Sequence, residues 1–173
     1  MNKYEILENE TKVVGGYTLH RIKALKDIFC ADGTVVKTGD LGGWIEKKEN
    51  LSQDGNSWVC GDAWVYGDAQ VSGDAQVYGN AKVYGNAWIC GNAKVSGNAK
   101  VYDDAKVSGN AKVYGNAQVS GNAWICVNAK VYGNAKVYDD AWICGNAKVS
   151  GDAKVSGDAW VRDGYIGGSG ENE

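Results

Sequence analysis

Side chains that could perform catalysis are few in this chain, and only one of them is a histidine. His20 could act as a general base, but it lies beside Arg21 in a segment with strand character, where a surface or capping role is the simpler interpretation. No phosphate-binding glycine loop or serine-nucleophile motif occurs. We therefore keep His20 as the one catalytic candidate and expect no cofactor and no metal site.

The cysteines carry a second kind of chemistry. The chain has five of them, an odd number without a short-loop disulfide framework, which favours reduced thiols in a cytosol. A disulfide between Cys126 and Cys144 is geometrically conceivable, but a reducing compartment argues against it. The chain also has no long apolar run and no apolar signal-peptide core at its start. We therefore expect a cytoplasmic protein with no membrane partner.

A single repeat must position these side chains. Residues 55–162 are eighteen consecutive hexamers of the form Gly-Asn/Asp-Ala-x-Val/Ile-x, without an insertion. The third and fifth residues of each hexamer alternate with the fourth and sixth, which is the period of a β-strand. Small Ala beside β-branched Val or Ile predicts a narrow interior, and a fixed period of this kind indicates a solenoid.

The first two residues of each hexamer predict a bend. The second is Asn or Asp in all eighteen hexamers, and the first is Gly in fifteen, with Asp103, Val127 and Asp139 as exceptions. Asn and Asp tolerate the left-handed backbone region, whereas a β-branched valine adopts it at a cost. We therefore expect the Asn or Asp, rather than the Gly, to hold the positive φ most often.

The rarer outward residues predict how many sides one turn of the solenoid has. Trp88, Trp124, Trp142 and Trp160 are separated by 36, 18 and 18 residues, and the neighbouring isoleucines and cysteines keep this spacing. Multiples of eighteen require three hexamers in each turn. The array therefore predicts six turns of a three-sided prism, about 29 Å long at an inter-strand spacing of about 4.8 Å.

An aliphatic residue every six positions, with a small residue two before it, resembles the hexapeptide-repeat left-handed β-helix superfamily, which includes acyltransferases and gamma-class carbonic anhydrases. The monotony of Gly-Asn-Ala-Lys-Val-Tyr, the leader at 39–46 and the segment 50–52 are similar to bacterial and phage proteins called YdcK-like or polymer-forming. The resemblance covers about two-thirds of the chain. It implies an all-β fold, a left-handed parallel β-helix, against the usual crossover rule.

The resemblance also implies which residues an enzyme of this fold would need. An acyltransferase would need a general-base histidine beside an acyl-carrier groove, usually with a loop that projects from the coils. A carbonic anhydrase would need several metal-binding histidines. The array contains no histidine and no inserted loop, so an acyltransferase would have to use His20 and the segment that does not repeat.

Outside the array we expect an N-terminal β cap at 1–44, and we begin the β-helix itself at residue 45 and end it at 162. Asp32-Gly33, between apolar runs, predicts a β-hairpin, and residues 4–7 and 17–25 predict further strands.

Two segments at the ends of the array depart from its period. Ile45 and Leu51 are six residues apart, but Val59 follows after eight, which predicts a distorted first coil with a two-residue insert. At the other end, 163–173 predicts a C-terminal cap in which Tyr165 and Ile166 fold over the last coil. Residues 167–173 predict a flexible tail.

Spacing by eighteen sorts the outward residues into three faces. The tryptophan face carries Gln70/Ser72, Trp88/Cys90, Lys106/Ser108, Trp124/Cys126, Trp142/Cys144 and Trp160/Arg162. The second, here called the Lys82 face, carries Trp64/Tyr66, Lys82/Tyr84, Lys100/Tyr102, Gln118/Ser120, Lys136/Tyr138 and Lys154/Ser156. The third, the Lys94 face, carries Trp58/Cys60, Gln76/Tyr78, Lys94/Ser96, Lys112/Tyr114, Lys130/Tyr132 and Lys148/Ser150.

The tryptophan face predicts self-association. Four indoles with three cysteines and few charges form a larger apolar stripe than soluble monomers usually leave exposed, and tryptophan is a favoured interface anchor. We expect a homo-oligomer, a trimer or a dimer, with an interface made of Trp88, Cys90, Trp124, Cys126, Trp142, Cys144 and Trp160. The alternative is that the indoles only stack on one another and stay exposed.

The Lys82 and Lys94 faces predict a solvated surface. Lysine and tyrosine rows could bind a single nucleic-acid strand, since bases stack on aromatic rings. The formal net charge of −3, however, gives no electrostatic footprint for a nucleic acid. We therefore expect no nucleic-acid partner.

The sequence as a whole predicts a non-enzymatic structural or interaction β-solenoid. Two alternatives stay open. One is an acyltransferase-like or small-ligand-binding trimer whose site lies between subunits. The other is a phage-encoded binder of a host protein or nucleotide.

Overall fold

The repeat folds into three parallel sheets that wind around one interior. In the computed structural model, which describes residues 2–168, strands of the same face lie side by side in successive coils. Trp124 pairs with Trp142, and Val101 pairs with Val119, each eighteen residues later. The Lys94 face has seven strands, so the solenoid makes about seven turns. The predicted three-sided, all-β solenoid is confirmed, and the left-handed sense of its coil stays a prediction.

Each hexamer contributes one two-residue strand. On the tryptophan face these are β8 (Gln70–Val71), β11 (Trp88–Ile89), β14 (Lys106–Val107), β17 (Trp124–Ile125), β20 (Trp142–Ile143) and β23 (Trp160–Val161). On the Lys82 face they are β7 (Trp64–Val65), β10 (Lys82–Val83), β13 (Lys100–Val101), β16 (Gln118–Val119), β19 (Lys136–Val137) and β22 (Lys154–Val155). On the Lys94 face they are β6 (Trp58–Val59), β9 (Gln76–Val77), β12 (Lys94–Val95), β15 (Lys112–Val113), β18 (Lys130–Val131), β21 (Lys148–Val149) and β24 (Tyr165–Ile166).

The interior is filled by the third and fifth residues of the hexamers, as the alternation predicted. From Ala63 to Val149 these alanines, valines and isoleucines are almost completely buried and form one continuous hydrophobic core. Small and β-branched side chains suit this interior because three sheets converge on it and leave little room between them.

The corners correct the expectation about backbone conformation. The first residue of each hexamer holds the positive φ: Gly133 has φ 70°, and Asp103, Val127 and Asp139 have φ 57°, 62° and 59°. The expectation that Asn or Asp would hold it was wrong. The cause is the stacking of corners: a Cβ on Gly91 would lie 3.0 Å from backbone atoms of Gly109 in the next coil, so the tight position favours glycine.

Most hydrogen bonds that join one corner to the next run in one direction along the solenoid; the exceptions in the array are the N–H groups of Gly121 and Gly157, which donate back to Asp103 and Asp139. The N–H of the second residue of a hexamer donates to the carbonyl of the first residue one coil later, as from Asn80 to Gly97 at 2.8 Å. The Asn side chains repeat this pattern, because Nδ2 of Asn98 donates to Oδ1 of Asn116 at 3.1 Å and Asn116 donates onward to Asn134. Polar backbone groups at the bends are thereby satisfied from coil to coil.

The N-terminal segment continues one sheet and closes one end of the interior. β1 (Tyr4–Val14) and β2 (Tyr17–Ala24) pair antiparallel, β2 pairs antiparallel with β5 (Leu41–Ile45), and β5 pairs parallel with β7. The predicted hairpin is confirmed as β3 (Ile28–Phe29) paired with β4 (Val35–Val36), around the turn at Asp32 and Gly33.

The predicted distorted first coil is confirmed by its register. Ile45 pairs with Val65, twenty residues later, whereas Val59 pairs with Val77, eighteen residues later. Leu51 also pairs twenty residues ahead, with Val71, so the two extra residues lie between Leu51 and Val59, after an irregular bend formed by a 3-10 helix at Lys48–Asn50. The buried side chain of Asn50 accepts from the backbone N–H of Lys47 at 2.9 Å and donates to the carbonyl of Ala69 at 2.9 Å, which fixes this irregular bend.

The C-terminal segment behaves differently from the expectation. Tyr165 and Ile166 do not fold over the last coil but form β24, which extends the Lys94 face. Tyr165 pairs with Lys148, seventeen residues earlier, because the last corner is one residue shorter than the others. The tail predicted at 167–173 lies, from residue 169 onward, outside the described residues. Within residues 2–168, no helix is long and apolar enough to cross a membrane.

Candidate association surface

The four tryptophans of the tryptophan face lie in one column, as predicted. The rings of Trp124 and Trp142 stack with centroids 5.0 Å apart, and those of Trp142 and Trp160 with centroids 5.6 Å apart. Trp88 is separated from this stack by Lys106, since β14 lies between β11 and β17. Exposure of the four side chains ranges from 39% at Trp124 to 66% at Trp160, so the indoles both stack and remain accessible.

The cysteines of this face lie beneath the indoles rather than beside them. Nε1 of Trp142 donates to the sulfur of Cys126, and Nε1 of Trp160 donates to the sulfur of Cys144, both at 3.3 Å. Cys126 and Cys144 are buried, and Cys90 is half-buried. Two of the three predicted interface cysteines are therefore covered within the chain itself.

Two thiols of this face, those of Cys90 and Cys126, are less acidic than an ordinary thiol. All five cysteines are free, so the conceivable Cys126–Cys144 disulfide is not formed in this structure. Burial raises the pKa of Cys126, and also that of Cys90, above the ordinary value for a thiol. A thiolate is the nucleophilic form of cysteine, and a raised pKa makes it scarce at neutral pH.

Serines take the place of the cysteines in two coils. Nε1 of Trp124 donates to Oγ of Ser108 at 2.9 Å, and Nε1 of Trp88 donates to Oγ of Ser72 at 3.3 Å. Each indole thus reaches back to the strand sixteen residues earlier, in the coil before its own. The Ser or Cys at the sixth position of one hexamer thus holds the indole at the fourth position, one coil later, in a fixed orientation. The sixteen-residue spacing between each Trp and the preceding Ser or Cys could have indicated this contact.

The two corners that border the tryptophan face differ in charge. The corner where the chain enters this face, here called the acidic corner, carries Asp68, Asp103, Asp104, Asp139, Asp140 and Asp158. The corner where the chain leaves it, the neutral corner, carries Asn92, Asn110, Val127, Asn128 and Asn146 along its middle coils. The first and last coils of the neutral corner carry Asp74 and Asp163, so the apolar stripe is bordered by carboxylates on one side and, along its middle coils, by amides on the other.

Val127 extends the apolar stripe around the neutral corner. It follows Cys126 directly, and its side chain is 51% exposed at a φ of 62°. For a β-branched residue this conformation is a genuine outlier with a cost of about 1–2 kcal/mol. Nearly all hexamers have glycine at this position. Val127 departs from the repeat with a strained and exposed side chain, and packing within the chain does not require a valine there.

His20 lies away from the tryptophan face, in the N-terminal segment. It is on β2, opposite Thr11 of β1 and Ile45 of β5. Its Nδ1 is 3.7 Å from the exposed carboxylate of Glu8 and makes no hydrogen bond to the described residues. Among residues 2–168, no group of three or more His, Cys, Asp or Glu side chains is arranged to hold a metal. The structure does not bring His20 together with the predicted interface residues.

The Lys82 face holds a cluster of cations on tryptophan rings that the sequence did not predict. Nζ of Lys12 lies 4.5 Å from the ring centre of Trp44 and 5.1 Å from that of Trp64, and Nζ of Lys82 lies 4.0 Å from Trp64. Cation–π contacts of this kind attach β1 to the first coils. The two rings are neighbours because Trp44 pairs with Trp64 across β5 and β7, whereas Trp58 lies on the Lys94 face.

The fold and the repeated surface together define a parallel β-solenoid repeat protein. In agreement, the family model described as the YdcK β-solenoid repeat matches the chain at residues 75–91 and 105–121. Both stretches lie within the regular coils, so the match concerns the repeat and supports a β-solenoid family. No curated protein matches this chain.

Proposed function

We propose that this protein is a structural or interaction β-solenoid that associates with copies of itself through the tryptophan face. The observation that carries this proposal is the column of exposed indoles, in which Trp124, Trp142 and Trp160 stack while 39% or more of each side chain stays accessible. Large aromatic side chains dominate the energetics of most protein interfaces. Val127 adds apolar area at the edge of the same stripe.

Preorganisation of the indoles favours binding. The hydrogen bonds from the Trp Nε1 atoms to Ser108, Cys126 and Cys144 restrict each ring before any partner arrives. Ordering flexible side chains on association costs about 0.5–1.5 kcal/mol for each one. Rings that are already fixed avoid most of this cost. The surface therefore has the properties of an anchor rather than of a mobile patch.

The charged borders support one relative orientation of two copies. If the solenoid axes ran in opposite directions, the acidic corner of one copy would face the acidic corner of the other. If the axes run in the same direction, the acidic corner faces the neutral corner, with Asp139 and Asp140 opposite amides and Val127. Like charges at close range oppose association. We therefore propose parallel association, as a dimer or a trimer.

Sedimentation of a charge-substituted variant tests the surface. We expect Trp124→Lys/Trp142→Lys to sediment as a monomer at concentrations where the wild type is oligomeric. The matched control is Tyr114→Lys/Tyr132→Lys, since these rings stack at 4.9 Å on the Lys94 face and should leave the assembly intact. A wild type that is already monomeric at all accessible concentrations contradicts the proposal.

Neutralising the acidic corner tests the orientation separately. In parallel association, Asp104→Asn/Asp140→Asn should change the dissociation constant by less than about threefold, because the carboxylates face uncharged groups. In antiparallel association the same change would strengthen binding by about tenfold or more, and added salt would do so as well. Strengthening in both experiments would reject the parallel arrangement and leave the tryptophan interface in place.

A further inference from the structure

A gap interrupts the column of tyrosine rings on the Lys82 face. The rings of Tyr66, Tyr84 and Tyr102 stack with centroids 5.1 Å apart and with interplanar angles of 8° and 5°. The next residue of the column is Ser120, and the column resumes one coil later with Tyr138. Two inter-strand spacings separate Tyr102 from Tyr138 by about 10 Å along the column. The column is therefore short of one ring.

The gap forms a cavity on the surface of the solenoid. Its volume is about 340 Å³, within the range of about 300–1,000 Å³ for small-molecule sites. Tyr102 and Tyr138 form its two ends, and Ser120 and Gly121 lie between them. All four residues are half-buried, so the cavity can be reached from solvent. A planar ring inserted there would lie about 5 Å from each tyrosine, a normal distance for stacked aromatic rings.

Four departures from the repeat meet at this gap. Ser120 replaces a tyrosine, Gln118 replaces the lysine of the neighbouring coils, and Asp103 and Asp139 replace corner glycines. All four residues line the cavity. Asp103 and Asp139 are also two of the three corner residues in the array that are not glycine. Stacking of the coils alone does not require these exceptions to lie together.

The charges around the gap favour a cation. Oδ2 of Asp103 accepts from the backbone N–H of Gly121 at 3.3 Å, which holds this carboxylate over the middle coil of the gap. Lys136 lines the far end of the cavity, but Gln118 takes the place of a lysine in the middle coil. A positive group at the edge of an inserted ring would therefore meet the carboxylate of Asp103, and the faces of the tyrosine rings also attract cations.

A second gap in a tyrosine column lacks these properties. On the Lys94 face, Ser96 also interrupts the column, but it is only 9% exposed. The β3–β4 hairpin lies over this part of the face: Nζ of Lys94 is 3.2 Å from Oδ2 of Asp32, and Gln76, 5% exposed, lies beneath the hairpin. The chain itself therefore closes the gap at Ser96, whereas the gap at Ser120 stays accessible.

We propose that the gap at Ser120 binds a small planar aromatic molecule that carries a positive charge at its edge, such as an aromatic amidine. The ring of the ligand lies between Tyr102 and Tyr138 and completes the column, and its cationic edge contacts the carboxylate of Asp103. The site lies on the Lys82 face, within one chain, so it does not depend on self-association through the tryptophan face.

Titration of the full chain with benzamidine tests the site. We expect saturable binding by calorimetry, and the ring protons of benzamidine should shift upfield in NMR spectra because they lie between two aromatic rings. Benzamide, a neutral analogue of the same shape, should bind about three- to tenfold more weakly, since it loses the charge-assisted contact. Benzamidine that does not bind saturably up to its solubility limit would overturn the proposal, as would equal affinity of benzamide and benzamidine.

Filling the gap tests its position. Ser120→Tyr introduces the residue that Tyr102 and Tyr138 hold in the neighbouring coils, so the variant should fold, and it should abolish benzamidine binding. Ser156→Tyr is the matched control, because Ser156 is exposed and follows Tyr138 in the same column, outside the gap. It should bind as the wild type does. Binding that is lost in Ser156→Tyr and kept in Ser120→Tyr would place benzamidine on the outer side of Tyr138 and overturn the proposal.

The two corner aspartates test the charge. Asp103→Gly restores the corner residue of the repeat and should weaken benzamidine binding about three- to tenfold, with the affinity for benzamide unchanged. Asp139→Gly should have a smaller effect, because Oδ2 of Asp139 accepts from the N–H of Gly157 at 3.2 Å, one coil beyond the gap. Equal affinity of wild type and Asp103→Gly would overturn the proposal. Binding should persist in Trp124→Lys/Trp142→Lys, which separates a failure of this site from a failure of self-association.

Discussion

In the repeat coils, small residues such as Ala99 and Val101 fill the interior, and hydrogen bonds between coils satisfy the polar backbone groups of the corners. In the N-terminal segment, single large side chains fill the interior and also satisfy the backbone groups. Lys3 is completely buried, and its Nζ donates to the carbonyl and Oγ of Ser57 at 2.8 and 3.0 Å. The hydroxyl of Tyr4 donates to the carbonyl of Leu51 at 2.7 Å. In a regular coil, the corner carbonyls accept hydrogen bonds from N–H groups of the preceding coil. The first coil has no preceding coil, so these side chains supply the donors instead.

The difference teaches that the end of a repeat needs chemistry that the repeat does not contain. A coil in the middle of the array is stabilised by its neighbours on both sides, so each of its residues contributes a small share. At the N-terminal end the same backbone groups require specific donors, and the loss of one has no substitute. The contribution of a residue to the free energy of unfolding should therefore depend more on the region in which it lies than on its amino-acid type.

The largest expected effect compares two tryptophans at the same position of the hexamer. Trp58 is 2% exposed and contacts Tyr4 edge to face at a centroid distance of 6.3 Å, whereas Trp88 is 44% exposed and outside the indole stack. We expect Trp58→Ala to lower the free energy of unfolding by about 3–5 kcal/mol and Trp88→Ala by less than about 1 kcal/mol. Denaturant titration measures both, and equal losses would break the comparison.

The next effect compares two asparagines. Asn50 is completely buried and makes four hydrogen bonds, two as acceptor from Glu46 and Lys47 and two as donor to Gly67 and Ala69. We expect Asn50→Ala to cost about 2–4 kcal/mol of stability, because buried backbone groups lose their partners. Asn116→Ala, in the exposed amide ladder, should cost about 0.5–1 kcal/mol. A larger loss at Asn116 in denaturant titration would show that the ladder is cooperative.

Lys3 predicts that the stability of the N-terminal segment depends on pH. Burial is the main cause that lowers the pKa of Lys3 from 10.5 to about 8. Between these two values the unfolded chain binds a proton that the folded chain does not, so the contribution of Lys3 to stability rises with pH. We expect the difference in unfolding free energy between wild type and Lys3→Met to shift in favour of the wild type by about 2 kcal/mol from pH 8 to pH 10.

Comparing the two proteins at each pH cancels the titration of other groups, such as Tyr4, whose pKa burial raises to about 12. A difference that is constant over this range would mean that Lys3 keeps its proton in the folded protein.

The smallest effect tests the one corner of the array that carries a valine. Val127→Gly should raise the free energy of unfolding by about 1 kcal/mol, because it removes a β-branched residue from the left-handed region. The reverse change at the same corner, Gly91→Val, should destabilise the protein, since its Cβ would lie 3.0 Å from the backbone of Gly109. Thermal melting of monomeric samples measures both. A loss of stability in Val127→Gly would indicate that the valine makes compensating contacts.

Much of the fold follows from the sequence because the spacing of the outward-facing residues gives the number of residues in one turn. The spacing of Trp124, Trp142 and Trp160 predicted three sides, and the irregular spacing of Ile45, Leu51 and Val59 predicted the insert. These features depend only on which residues lie side by side, and strand pairing translates spacing directly into position.

The corners and the surface were less predictable. The cost of a valine at positive φ suggested that Val127 would avoid it, but stacking of eighteen hexamers imposes one corner geometry on all of them, and Val127 adopts it at φ 62°. The shielding of Cys126 by Trp142 depends on the direction in which an indole tilts. The position of the β3–β4 hairpin over Gln76 depends on long-range packing, which no local spacing encodes.

The hydrogen bonds between corners run predominantly in one direction, which gives the solenoid an electric polarity. The strand bonds contribute little, because parallel strands carry only small net dipoles. The N–H groups of the second hexamer residues and the Asn Nδ2 atoms, as in Asn80 to Gly97 and Asn98 to Asn116, point toward the C-terminal end. Their sum places the positive pole at that end, the reverse of an α-helix, whose N-terminus is positive.

The charges at the two ends match this macrodipole. The ammonium of Lys3 lies at the negative pole, and the carboxylates of Asp152 and Asp163 accept from Asn134 and Asn146 at the positive one. The prism therefore has two electrically different ends, and each end carries side chains whose charge is opposite to that of its pole.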